Sequence, residues 1–193
     1  MNGPEFISLF VLALVFLLIP IYVAIFFHEL GHLVLGKIVG FDFLSFRFLN
    51  LAIKKEKDGK LKFYSFSLKG TAGQCIMVPA KDKTYDLSSL FWYNVGGVLF
   101  NAIIAIKMIV FVFVFDSFYI QMASSLMALI NIVFIITNWF STKVQSSDGS
   151  NYRILKHNEK SQAAFLELLR THGDLNHGAR LSTYNLEPLK ALE

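Results

Sequence analysis

The feature that most constrains this chain is the length of its apolar runs: Phe6 to Val39, Leu90 to Phe115 and Phe118 to Phe140. Crossing the ~30 Å hydrocarbon of a bilayer takes roughly 20 apolar residues at about 1.5 Å each. Each run is long enough. Inside lipid the backbone must satisfy its own hydrogen bonds, so each run has to be helical. The expected fold is membrane α-helical, a three-helix transmembrane core. The first run is longer than a span requires, so it should tilt, kink at Pro20 or project past the membrane. Only Asp116 and Ser117 separate the second run from the third, which makes those two helices a tight antiparallel hairpin. Composition agrees: 54% of the 193 residues are hydrophobic, 20 of them Phe, against roughly 45–50% apolar in soluble domains.

The connection between the first two runs is written in a different pattern. Phe41 to Phe48 is aromatic with partial alternation, Lys54 to Lys60 is a charged turn with an Asp58-Gly59 step, and Leu61 to Leu68 alternates as a returning strand. A third extended piece, Gln74 to Val78, stops at Pro79. A membrane-associated β-hairpin loop over 41–80 is therefore expected between the first and second spans. After the third span the chain turns polar. Ser161 to Arg170 reads as a short amphipathic helix, lying on the membrane or on the core, and an irregular tail follows. The expected organisation is a core over 1–155 and a cytoplasmic helix and tail over 156–193.

Orientation follows from basic residues. Arg47, Lys54, Lys55, Lys57, Lys60, Lys62, Lys69, Lys81 and Lys83 lie in the connection, and Lys143, Arg153, Lys156 and Lys160 follow the third span. The N-terminus and the Asp116-Ser117 turn carry none. The positive-inside rule puts the N-terminus outside, and the β-loop and C-terminus in the cytoplasm. The net charge of +4 comes from these flanking segments, so a bilayer is the expected partner and nucleic acid is not. No cleavable signal peptide is expected, because the first run lacks a basic leader and exceeds the ~7–15 residues of a signal core. The single cysteine, Cys75, excludes an intramolecular disulfide and a cysteine-built zinc cluster.

The first run contains His28-Glu29-Leu30-Gly31-His32. On a helix, His28 and His32 share one face with Cβ atoms roughly 5–6 Å apart. That spacing lets two imidazole nitrogens reach one zinc ion at about 2.0–2.1 Å. Glu29 lies about 100° around the helix, where it can flank the metal without binding it and take a proton from an attacking water. The pattern is short enough to recur by chance. Within an apolar run, however, each charged side chain costs on the order of 2.5–3.5 kcal/mol, and two histidines with a glutamate are hard to retain there without a metal. Gly31 leaves room beside the metal face for a neighbouring helix or a substrate backbone. A third ligand must come from elsewhere. Asp148 follows the third span on the same side of the membrane, with Gly149 behind it to permit a sharp turn. A downstream glutamate, Glu159 or Glu167, is the alternative.

These residues together resemble the site-2 protease family of intramembrane zinc metalloproteases. His28 to His32 is similar to its first signature. Gly97-Val98-Leu99-Phe100-Asn101 resembles its Gly-x-x-x-Asn helix motif, and Asn138 to Gly149 resembles the segment whose aspartate is the third zinc ligand. The loop ending in Gly70-Thr71-Ala72-Gly73-Gln74-Cys75 is similar to the family's glycine-bearing β-strand. The resemblance covers roughly residues 20 to 155 and matches a minimal core without additional regulatory domains.

It implies Zn2+ as cofactor, with His28, His32 and Asp148 as ligands and Glu29 as catalytic base. Asn101 would hold substrate or the developing oxyanion, against the plainer role of a hydrogen bond between spans. Gly70, Gly73 and Gln74 would line the substrate. The implied substrate is a single-span membrane protein or remnant signal peptide, and the expected location is a bacterial or archaeal plasma membrane. The rival from another class is a non-catalytic metal-bound membrane binding or immunity protein. Oligomeric state stays open.

Overall fold

The computed structural model describes residues 3–65, 72–140, 147–176 and 178–179. Its elements are α1 (Gly3–Val39), β1 (Phe41–Phe48), β2 (Leu51–Lys55), β3 (Leu61–Ser65), β4 (Gly73–Pro79), α2 (Leu87–Val114), α3 (Phe118–Phe140), α4 (Asp148–His157) and α5 (Glu159–Asn176). The three expected apolar runs are helices α1, α2 and α3, each long and apolar enough to cross a membrane.

At about 1.5 Å per residue α1 is ~55 Å long, well beyond one hydrocarbon thickness. It continues through Pro20. N-terminal to that point its side chains, such as Phe6, Phe10 and Leu12, are largely exposed, a surface that suits lipid. C-terminal to it, α1 packs on α2 through glycines. A Cβ placed on Gly31 would sit 2.1 Å from the Gly96 carbonyl oxygen, and one on Gly96 would sit 2.6 Å from the Gly31 carbonyl oxygen. The two backbones touch where His28 and His32 are carried, and no larger residue fits at either position. The helix ends at Gly40, whose φ of 96° is left-handed and which bonds back to the Gly36 carbonyl at 3.1 Å. Lys83 Nζ covers the last carbonyl, that of Val39, at 3.0 Å.

Between α1 and α2 lies an antiparallel sheet of order β3-β2-β1-β4. A hairpin with a short third piece was the expectation; the sheet has a fourth strand. Lys54 and Lys55 belong to β2, where Lys54 pairs with Ser45 of β1 and Lys62 of β3, and the charged turn is confined to Glu56–Lys60. The reversal between β1 and β2 is made by Leu49, with φ 54°, and Asn50. Leucine rarely adopts that conformation, and without a glycine or proline the sequence does not mark the turn.

A buried cluster of Phe41, Met77, Leu90, Tyr93, Leu155, Phe165 and Leu169 joins the sheet to the start of α2 and to α4 and α5. α5 is longer than the Ser161–Arg170 segment expected from the sequence. Gly173, within the tail expected to be irregular, is helical and a close approach: a Cβ on it would lie 3.0 Å from Val78 of β4.

Candidate metal centre

His28 and His32, one turn apart on α1, turn their Nε2 atoms toward each other at 3.3 Å. Asp148 Oδ2 completes a triangle, 3.1 Å from His28 Nε2 and 3.2 Å from His32 Nε2. Both histidines are buried. Among the described residues this trio is the group of side chains able to hold a metal ion. Neither Glu159 nor Glu167 belongs to it; Glu167 pairs with Arg170 at 3.7 Å.

Three acceptor atoms so close together repel unless a cation lies among them, and for His32 the hydrogen bonding indicates an acceptor. His32 Nδ1 lies 2.9 Å from the Tyr93 backbone carbonyl. A carbonyl only accepts, so Nδ1 carries the proton and the Nε2 lone pair faces the triangle. Zinc bonds of about 2.0–2.2 Å at tetrahedral angles separate neighbouring ligand atoms by roughly 3.3–3.6 Å, near the observed spacing. The donor set of two imidazoles and one carboxylate fits a zinc ion that keeps one position open.

Asp148 is the first residue of α4, and its placement depends on how that helix docks. Ser147 caps the helix, accepting from Ser150 N while Ser150 Oγ accepts from Ser147 N. Gly149 then lies against the end of α3, where a Cβ would be 1.9 Å from the Trp139 carbonyl oxygen. Arg153 Nη1 donates to that same oxygen at 2.8 Å, and Tyr152 stacks on Trp139 and meets the edge of Phe91. Gly149 is therefore not the hinge of a sharp turn. It is helical, and glycine is required because two backbones meet.

Glu29 lies beside the start of β4. A Cβ on Gly73 would come within 2.8 Å of Glu29 Cγ and 3.2 Å of its Oε1. The missing side chain lets the strand cross over the carboxylate. Gln74, next in the strand, is exposed and pairs with Arg47. Gly70 lies outside the described residues. Cys75 is near enough to Glu29 that burial, and then that charge, push its thiol well above the usual range, and it lies outside the triangle of His28, His32 and Asp148.

Asn101 lies one turn along α2 from Gly97. Gly97 abuts the His28 ring, 2.5 Å from a would-be Cβ, and Asn101 Nδ2 donates across to the Ala24 carbonyl at 3.4 Å. It therefore makes the hydrogen bond between spans weighed above. Asn131 and Asn138 donate instead within their own helix, to Met127 and Phe134.

A family model for peptidase family M50 matches residues 16–192. The chain belongs to peptidase family M50. This is the site-2 protease family that its motifs resemble. The match runs through all three apolar helices, the sheet and α4, and so contains every member of the triangle. As an M50 protein with three helices able to span a bilayer, the chain is a multi-pass membrane metalloprotease of the site-2 type. It matches no curated protein and no solved structure.

Proposed function

We propose that this M50 chain is an intramembrane zinc endopeptidase that cuts a single-span membrane protein, or a remnant signal peptide, toward the cytoplasmic half of the bilayer. The observation that supports this most is the triangle itself. Three potential ligand atoms from α1 and α4 lie 3.1–3.3 Å apart on largely buried side chains, an arrangement that is costly without a bound cation.

In this reading His28, His32 and Asp148 hold the zinc. When bound, zinc polarises the scissile carbonyl and makes water a competent nucleophile near neutral pH. Glu29, beside the ligands but outside the triangle, takes the proton from the attacking water. It then returns that proton to the leaving amine nitrogen. A non-catalytic metal protein would have no use for a carboxylate held at that point.

Substrate recognition is proposed at β4. Its strand partner is β1, so the other edge is the natural place for an added strand. A helical peptide bond is shielded from attack, and a substrate unwound onto that edge would present an extended backbone. Gly73 brings the edge over Glu29, and Gln74 extends from it into the open. The N-terminus would be outside, with the sheet, α4 and α5 in the cytoplasm.

Purified protein should bind one equivalent of zinc and cleave a co-reconstituted single-span substrate. Asp148→Asn should lose the metal, whereas Glu159→Gln and Glu167→Gln should keep both metal and activity. Zinc retained by Asp148→Asn at wild-type affinity would refute the ligand assignment.

A further inference from the structure

Asn101 on α2 and Asn131 on α3 are both fully buried, and among the described residues Oδ1 of each has no hydrogen-bond partner. Their amide nitrogens settle which way they point. Each Nδ2 donates to a carbonyl, that of Ala24 or of Met127. A carbonyl cannot donate in return, so nitrogen and oxygen cannot be exchanged, and the oxygens are the atoms left over. A further buried atom lacks a partner among the described residues: Nδ1 of His28. With Nε2 of that ring turned to the metal triangle, Nδ1 is the position that carries the proton and needs an acceptor.

Helical register places the residues that carry these three atoms in adjacent layers. His28 packs against Gly97 of α2 and, edge-on, against Phe134 of α3 at 6.5 Å. One turn away from the cytoplasmic end, α1 presents Ala24, α2 presents Asn101 and α3 presents Asn131. The Asn101–Ala24 hydrogen bond ties two of these to one level. Ala24 is itself fully buried, and its side chain is a single methyl. Two amide oxygens without donors and an imidazole N–H without an acceptor thus occupy adjacent layers of a dry helix bundle. Leaving each of them unpaired carries its full desolvation penalty.

We propose that this layer is a binding site for one water molecule. The water donates to Asn101 Oδ1 and to Asn131 Oδ1 and accepts from His28 Nδ1–H. Its two hydrogens and one lone pair match the three unpaired atoms, within the two to four partners a buried water takes. Bound there, it holds His28 in the tautomer that turns the Nε2 lone pair to the metal, as the Tyr93 carbonyl does for His32. Asn101 and Asn131 are then positioning residues for a metal ligand. The His28 tautomer and the affinity part of this inference rest on the zinc reading above; a water held by the two asparagine oxygens does not.

The test uses full-length protein labelled with 15N-histidine in lipid bilayers, observed metal-free by proton-detected solid-state NMR. The His28 signals are assigned by their loss in His28→Gln. The expected result is a protonated Nδ1 with a contact to an immobilised water. That contact disappears in Asn131→Leu and persists in Asn138→Leu. By chelator competition, Asn131→Leu should bind zinc 10–100-fold more weakly and Asn138→Leu as wild type does. No water contact at His28 in the wild type, or its survival in Asn131→Leu, overturns the site. Loss of the contact with unchanged zinc affinity overturns the positioning role. If Asn131→Leu does not fold, the wild-type spectrum alone decides the water. Failure of the wild type to bind zinc would count against the proposed function and leave the NMR result standing.

Discussion

Gly97→Ala should separate metal binding from folding. The added methyl would lie 2.5 Å from His28 Cε1 and 2.6 Å from both ring nitrogens. Ordinary contact begins near 3.4 Å, so the imidazole must retreat by about 0.9 Å, whereas zinc bond lengths tolerate about ±0.2 Å. His28 Nε2 cannot then stay 3.1 Å from Asp148 and 3.3 Å from His32. Losing a hydrogen bond that merely supports a metal ligand costs about 10–100-fold in affinity; displacing the ligand should cost at least that, about 1.4–2.7 kcal/mol. Stability of the metal-free protein should move little or rise, because alanine is favoured over glycine within a helix by about 1 kcal/mol, and the ring can swing aside when no metal holds it. The assay is chelator competition on purified wild type and variant, with thermal unfolding of both metal-free forms. Zinc affinity within threefold of wild type would refute the packing argument. So would a variant that loses stability as fast as affinity.

Gly149→Ala, which places a methyl against the Trp139 carbonyl, should undock α4 and lower both zinc affinity and thermal stability, since no side-chain rotation relieves a clash with backbone. Gly73→Ala should do the opposite at the metal. Its methyl meets Ile25 and Glu29, so zinc should stay bound while cleavage falls by about tenfold or more, the order of effect a displaced general base produces. The Cys75 thiol, raised by burial and by the Glu29 charge, has little thiolate even in mild base, so it should resist maleimide at pH 8. Glu29→Gln removes the charge but not the burial and should speed labelling only modestly, by mass spectrometry. Labelling of wild-type Cys75 at the rate of a free thiol would contradict the burial argument.

How much of this was legible in the sequence depended on whether a feature is a side-chain pattern or a backbone contact. The apolar runs and the His28–His32 spacing are patterns, and α1, α2 and α3 formed where the runs lie. Asp148 was legible from its position after the third span. The need for glycine at 149 was also visible, but its reason was not: a turn and a close approach require the same residue, and only the packing of α4 on Trp139 distinguishes them. Strand β2 was hidden because Lys54 and Lys55 carry the composition of a turn while pairing as a strand, and because Leu49 makes the reversal without a glycine. The Tyr93 carbonyl that orients His32 left no trace, since any residue could supply it. The level shared by Ala24 and Asn101 emerges only once α1 and α2 are aligned by Gly31 against Gly96.

The central claim is that Glu29, beside a zinc held by His28, His32 and Asp148, cuts peptide bonds inside the membrane. The most direct test is to reconstitute zinc-loaded wild type and zinc-loaded Glu29→Gln with a single-span substrate in liposomes and map the new termini by mass spectrometry. The account predicts a terminus within the substrate's apolar segment, in its cytoplasmic half, for wild type and none for the variant. The same terminus produced equally by Glu29→Gln would contradict it.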